Sequence, residues 1–308
     1  MVDILMAVYN GEQFVSQQID SILKQTYQDW RLIILDDCST DQTMEILDTY
    51  QRLYPDKITY SSNLVNSHSP KDNFFNLIQD SQASYVMTCD HDDVWLPEKI
   101  EQTLACMQKA EKRFGTDMPI LVHTDLVVVD ENLKMLSPSM IKSQNLSPNR
   151  VRLRELLVQN QITGCTMMLN RMLANLAKDM PPEAVMHDWW YGLIAATFGK
   201  IIFLPTATIL YRQHMGNQVG AKAVTSREYI TNRLTHSNEI KTALHQTYRQ
   251  AAAFLERFGQ ELSEPQREMV QAFAQMNDSK KLRRLQTLFH YRFFKGGMIR
   301  KIGQLIYL

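Results

Sequence analysis

Tyr85-Val-Met-Thr-Cys-Asp-His-Asp-Asp-Val-Trp-Leu-Pro97 passes in one stretch from an apolar run to three carboxylates and a helix start. A short apolar run bounded by polar residues reads as a buried strand. Two earlier stretches repeat the form: Ile4–Val8 precedes Tyr9-Asn10-Gly11, and Leu32–Leu35 precedes Asp36-Asp37. Amphipathic helices lie between them, one carrying Phe14, Val15, Ile19, Ile22 and Leu23, one Met44, Leu47 and Tyr50, one around Asn73–Ile78. Ser39, with Gln42 three residues on, gives the second helix a capping-box start, and Pro97 opens the helix after the fourth strand. Ile58–Tyr60 is a weaker strand. Apolar strands alternating with such helices imply an α/β architecture, a Rossmann-like, mostly parallel sheet covered by helices on both faces.

Beyond about residue 115 the pattern loosens. Strands are expected at Ile120–His123, Val127–Val129, Thr166–Leu169, Ile201–Leu204 and Thr208–Tyr211, and helices at Arg152–Gln159, Arg171–Lys178 and Asp188–Phe198. From Ser226 onward only helices are expected. The division is therefore a catalytic body over residues 1–220, with halves at about 1–115 and 116–220, and an all-helical C-terminal extension over 221–308.

The 308 residues, 44% hydrophobic, suffice for a sizeable core, and a formal net charge of +0 supplies no global field to recruit nucleic acid. No apolar run approaches bilayer-spanning length, no signal peptide is read, and Cys38, Cys89, Cys106 and Cys165 form no C-x-x-C pair, so a reducing cytoplasm is expected. Charge is nonetheless uneven. No acid follows Asp278, while Lys280, Lys281, Arg283, Arg284, Arg292, Lys295, Arg300 and Lys301 alternate with apolar residues. Two readings stand open: a basic amphipathic tail lying on an anionic inner membrane leaflet, or a helix packed on the body with a solvated basic face.

In an open parallel sheet, ligands bind beyond the carboxyl ends of the strands. Asp36, Asp37, Asp90, Asp92 and Asp93 would meet at that rim, where like charges repel and raise one another's pKa unless a cation sits among them. Hard oxygen donors suit Mg²⁺ or Mn²⁺, which in turn suit a diphosphate. Neither G-x-G-x-x-G nor G-x-x-x-x-G-K-[ST] occurs, so phosphates are met by metal rather than by a glycine loop. The competing readings are a turn and helix cap for Asp36-Asp37 and a solvated loop for Asp90–Asp93.

Ala7-Val-Tyr-Asn10, Leu35-Asp-Asp-Cys-Ser-Thr-Asp41, Cys89–Pro97, His187-Asp-Trp-Trp190 and Tyr211-Arg-Gln-His-Met-Gly-Asn217 together resemble, in order and spacing, the motifs of glycosyltransferase family 2. That resemblance implies the GT-A fold, an inverting sugar transfer and a nucleotide-sugar donor. It places Ala7, Tyr9, Asn10, Asp37, Asn73, Asp90 and Arg212 at the nucleotide, with Asp37 on the base imide and Arg212 near the diphosphate. Asp92, Asp90 and His214 would hold the metal. Asp188 would be the catalytic base, although an Asp before Trp189-Trp190 is also a natural N-cap. Trp189 and Trp190 are candidates for stacking on acceptor sugar, or else one is buried and one half-exposed.

Within the family, the wording of Asp90–Lys99 and His187–Trp190 most resembles rhamnosyltransferases of streptococcal rhamnose-rich cell-wall polysaccharide, of the α-1,3 type. The implied donor is dTDP-L-rhamnose and the implied acceptor a lipid-linked saccharide, used by a cytoplasmic enzyme peripheral to the cell membrane, with a homo-oligomer open. Rival readings are a UDP-hexose or UDP-N-acetylhexosamine donor, a metal-dependent phosphohydrolase, and a non-catalytic saccharide-binding subunit.

Overall fold

The computed structural model describes residues 1–214 and 237–308. The boundary expected near residue 220, the start of the helical region at Ser226, and Asn217 of the last motif lie outside the described residues.

β1 (Val2–Val8) is buried along its whole length. Successive side chains point to opposite faces of a strand, and both faces are covered. Val2, Ile4, Met6 and Val8 join the cluster that takes Val15, Ile19 and Ile22 from α1 (Val15–Leu23), Leu47 from α2 (Thr43–Leu53) and Ile100 and Leu104 from α4 (Lys99–Phe114). Leu5 and Ala7 join the other cluster, with Phe74, Leu77 and Ile78 of α3 (Pro70–Asp80). β2 (Trp30–Asp36) and β4 (Tyr85–Asp90) flank β1 in parallel, and β3 (Ile58–Ser62) continues the sheet beyond β2.

Past β4 the parallel rule ends. The sheet runs β3-β2-β1-β4-β8-β6-β9-β5, where β8 is Met167–Asn170, β6 is Ile120–Val129, β9 is Lys200–Arg212 and β5 is Val94–Trp95; β7 (Met135–Ser137) pairs on β6. β8 is antiparallel to both neighbours, and β5 is antiparallel to β9. The two short strands expected on either side of residue 125 are one ten-residue strand. Likewise Ile201–Leu204 and Thr208–Tyr211 are parts of one thirteen-residue strand. Irregularities in the β6–β9 register at Asp125 break the hydrophobic alternation that a sequence reading follows.

Helix ends differ from expectation in three places. α2 starts later, at Thr43, with Gln42 making no side-chain cap bond, while Ser39 Oγ accepts from Asn10 N at 2.8 Å and donates to the Asp36 carboxylate. α3 begins earlier than Asn73, with Ser69 as cap and Pro70 in its first turn. The helix expected over Arg152–Gln159 shrinks to α6 (Leu153–Leu156), and just beyond it the Asn160 side chain accepts from Ile162 N, a local bond that competes with helix.

α7 (Arg171–Ala177) and α8 (His187–Phe198) follow, with α5 (Met140–Ser143) lying earlier beside β6. The described C-terminal region consists of helices: α9 (Ser237–Phe258), α10 (Glu264–Ala274), α11 (Lys281–Tyr291) and α12 (Met298–Tyr307), with one short 3₁₀ turn. It packs on the α8 face, where Leu244, Tyr248, Phe254, Phe258, Phe273 and Phe293 share a core with Trp190, Leu193 and Ile194.

Gly199 is required where β9 begins. A Cβ there would stand 1.8 Å from the Pro119 carbonyl oxygen, which also accepts from Lys200 N at 2.9 Å. Gly199→Ala must therefore push β9 off β6, and we expect a loss of about 3 kcal/mol, the upper end of overpacking costs. A urea midpoint lowered at constant slope checks it; an unchanged midpoint shows that the strand start yields freely.

Candidate functional site

β1 lies at the point where strand order reverses, and ligands of open α/β sheets bind in the crevice outside such a point. The register places the chemistry there. Val8 pairs with Asp36, and Ala7 pairs with Asp90 on the other side. Asp36–Asp37 and Asp90–Asp92 thus stand two strands apart, about 10 Å at ordinary strand spacing. A cavity of about 610 Å³ opens over this rim, lined by Ala7, Tyr9, Asp37, Asn73, Asp90 and Asp92 together with Asn160, Gly164, Asp188 and Trp189.

The two neighbouring acids of β2 divide the two readings between them. Asp36 is a turn residue: its carboxylate accepts from Ser39 N, Ser39 Oγ and Ser62 Oγ. Asp37 faces the cleft. Its carboxylate accepts from Asn63 Nδ2 at 2.7 Å, Ser67 N at 2.8 Å and Ser67 Oγ at 2.9 Å, while Asn73 Oδ1 takes a second bond from Asn63. Burial works to raise the Asp37 carboxyl, but these hydrogen bonds outweigh it and hold it below the ordinary value. The result is a fixed, ionised acceptor.

The loop after β4 is held at both ends. β5 clamps it to β9 through Val94 and Trp95, and Arg212 closes it: Arg212 N donates to Asp93 Oδ1 at 3.1 Å and Arg212 Nε to the Asp92 carbonyl at 2.8 Å. Asp92 Oδ2 lies 2.8 Å from His214 Nε2, across 122 residues of sequence. Asp90 carries the strain of the arrangement. Burial, then the charges of Asp92 and Asp188, push its carboxyl up to about 7.

Asp188 is in the first turn of α8 and is not its cap; that position is Met186, which makes no side-chain cap bond. Asp188 Oδ1 accepts from Trp189 N at 2.6 Å. Burial pushes its carboxyl up to about 6, against hydrogen bonds from Trp189, Asn160 and Gly164 that favour the ionised form. A carboxylate poised there can accept a proton near neutrality.

The structure corrects one expected site residue and shows two others bonded within the protein. Trp190 is fully buried, its ring against Phe254 at 5.4 Å and Phe258 at 6.1 Å, so no sugar can stack on it; Trp189 does line the cleft. Arg212 is buried and does not line the cavity. Its guanidinium binds the Asp92 and Glu131 carbonyls and Gln17, and lies 4.5 Å over Phe14, which makes it a brace of the acidic loop. The Asn10 side chain accepts from Thr40 N at 2.8 Å, tying two loops together, and is likewise absent from the cavity lining.

Other residues in and around the cleft had no role assigned from the sequence. His187 stacks on Phe74 at 4.1 Å, and burial holds its imidazole down at about 3, so it is neutral. Asn63 and Ser67, which clamp Asp37, sit in a plain polar loop. Only the run of Asn and Ser residues there hinted at side chains bonding to backbone.

The donor set fits a hard divalent cation. Asp92 and His214 converge, and the raised pKa of Asp90 is the mark of carboxylates that a positive charge would relieve. Asp90, Asp93 and Cys165 also approach within 4.8 Å of one another. That group is a poorer match, since Cys165 and Asp93 are fully buried, burial pushes the Cys165 thiol up and away from the thiolate, and the Lys99 ammonium is buried close to both.

Comparison with known proteins agrees with this geometry. Residues 3–176 match the model of Glycosyl transferase family 2, more than half of the 308. The dTDP-rhamnosyl transferase RfbG of Shigella flexneri is 27% identical over 237 residues, covering 73% of this chain and 76% of that one. The UDP-Glc:alpha-D-GlcNAc-diphosphoundecaprenol beta-1,3-glucosyltransferase WfgD of Escherichia coli is 25% identical over 179 residues, 57% of this chain and 62% of that one. Among solved structures, S. aureus TarS 1-349 in complex with UDP-GlcNAc superposes with a TM-score of 0.55 at 18% identity, over 94% of this chain and 89% of that one. The matched residues take in the parallel strands and both acid-bearing loops of the cleft, and the chain belongs to glycosyltransferase family 2, on a GT-A fold.

Proposed function

We propose that this transferase moves L-rhamnose from dTDP-L-rhamnose, with Mg²⁺ or Mn²⁺, to a hydroxyl of a lipid-linked saccharide, with inversion at the sugar. One observation carries the reading: Asp37, Asp90, Asp92 and Asp188 line one cavity of about 610 Å³, with His214 bonded to Asp92. The family match ends at residue 176, so the roles of Asp188 and His214 rest on that placement. The likeness to RfbG supports the rhamnosyl donor, and the likeness to WfgD supports an acceptor on a lipid diphosphate. Such an acceptor puts the enzyme to work at the cytoplasmic face of a membrane.

Asp37, held ionised, accepts the imide N–H of the base, and Ala7 and Tyr9, which line the same cavity, would border the nucleotide. Asp90, Asp92 and His214 would hold the cation. When bound, it offsets the negative charge that builds on the departing diphosphate. Asp188, which lines the same cavity, takes the proton from the acceptor hydroxyl as that oxygen bonds to the anomeric carbon and the bond to the diphosphate breaks. One carboxylate on the face opposite the leaving group suffices for single displacement, hence inversion.

A thermal-shift screen of dTDP-L-rhamnose, UDP-glucose and UDP-N-acetylglucosamine, with and without Mn²⁺, tests the donor. A ligand of the native state raises the melting temperature by mass action, worth about 2.7 kcal/mol at a hundredfold excess over Kd. The largest shift is expected for dTDP-L-rhamnose, and only with the cation. A larger shift with a UDP-sugar would replace the rhamnosyl reading.

A further inference from the structure

α12 is packed inside out. Its buried positions are polar: Arg300 is 8% exposed and Gln304 5%. Arg300 donates to the Asn145 carbonyl at 3.0 Å and the Gln144 carbonyl at 2.6 Å, and Gln304 bonds Phe293 O and Lys295 N. Leu305 packs against the core, but three other apolar residues point outward, with Met298 71%, Ile302 52% and Ile306 56% exposed. These three are four residues apart and form one stripe along the helix. Burying such side chains is worth about 1.5–3 kcal/mol each, so a stripe left in water implies a surface that covers it.

Charge identifies that surface. From Ser279 to Leu308 there is no acid and there are eight Lys and Arg residues, of which Lys280, Lys281, Arg283 and Arg292 are exposed. A second copy of the chain would set this positive segment against itself with no acid in the segment to offset it. An apolar stripe on a segment that also carries exposed cations matches an anionic lipid surface, in which the Ile and Met side chains enter the acyl boundary while the cations meet headgroups.

The same helix is tied to the cleft. The Gln144 carbonyl that receives Arg300 belongs to a cavity-lining residue, and Gly296 N donates to Gln159 Oε1, next to the lining residues Asn160 and Gln161. We propose that α12 lies flat on an anionic membrane and, through Arg300 and Gly296, sets the 144–161 wall of the cleft against the lipid from which the acceptor is presented. The presentation of acceptor rests on the function proposed above; the docking itself does not.

Vesicle flotation of the full chain tests it, using phosphatidylcholine alone and phosphatidylcholine with phosphatidylglycerol. The protein is expected to float only with the anionic vesicles. Ile302→Asp combined with Ile306→Asp should cut the bound fraction about tenfold or more, and Lys281→Glu with Arg283→Glu and Arg292→Glu should do the same. Both variants change exposed residues remote from the donor, so the nucleotide-sugar thermal shift should be unchanged and reports that each is folded. The proposal falls if the wild type stays behind with anionic vesicles, or if folded variants float like the wild type. It falls equally if the stripe proves to be a dimer contact, seen as a sedimenting dimer that the Ile302→Asp, Ile306→Asp variant dissociates. A missing donor shift with normal flotation would sink the donor assignment and leave the docking intact.

Discussion

Asp188→Asn is expected to lower the transfer rate by about 10²- to 10⁴-fold, the contribution of a positioned general base, while donor binding stays as in the wild type. The amide fills the same volume and keeps an oxygen for Trp189 N, so the start of α8 is preserved, but it accepts no proton from a hydroxyl. In the wild type, transfer should fall on the acid side with an apparent pKa about 6, because burial raises the Asp188 carboxyl from 3.8 to about 6 and only the ionised form is a base. That limb should be missing from the residual rate of the variant. Stability moves the other way. A carboxyl whose pKa is raised by folding binds more protons in the native state between pH 3.8 and about 6, so the native state loses stability as pH rises through that window. Without divalent cation, Asp188→Asn should therefore melt higher than the wild type at about pH 8 and nearly equal to it at about pH 3. Wild-type transfer by the variant would remove Asp188 from the role of base, whatever its melting behaviour.

Asp92→Ala is the second large effect. It removes the carboxylate that His214 meets at 2.8 Å. Turnover of the nucleotide sugar is expected to fall by about 10³-fold or more, corresponding to the several kcal/mol that a metal contributes to a developing phosphate charge. The cation-dependent part of the donor thermal shift should vanish, and raising Mn²⁺ should not restore it. The Asp92 backbone carbonyl, which accepts from Arg212, survives the substitution, so the loop should stay in place and the fold with it. Titration of Mn²⁺ by calorimetry separates lost cation binding from lost structure. Unaltered, cation-dependent turnover in this variant would show that the metal is held elsewhere.

The acids after β2 and β4 were legible because a parallel sheet aligns its carboxyl ends. Once Val8 pairs with Asp36 and Ala7 with Asp90, neighbouring strands bring their next residues to one rim with no further information needed. Asp188 and His214 come from α8 and from just past the end of β9, beyond the regular alternation, and only the family resemblance of their motifs singled them out. His214 reaches Asp92 only because β9 runs unbroken for thirteen residues and pairs with β5. The expectation of two short strands there missed the element that delivers it.

Side-chain direction was the recurrent gap. Trp189 and Trp190 are equivalent in sequence, yet a step of about 100° around α8 sends one to the cleft and the other into the core against Phe254. Arg212 has the charge for a diphosphate, but backbone carbonyls of Asp92 and Glu131 claim its guanidinium.

Residue pattern alone determined the alternation of strand and helix, the acid-tipped strands and the basic, amphipathic character of the last thirty residues, because each depends on periodicity and neighbouring residue types. The tertiary structure decided the antiparallel insertion of β8, the Asp92–His214 pairing and the outward apolar stripe of α12. Each of these depends on contacts between distant segments, and a helix with two unlike faces does not itself specify which one meets the protein.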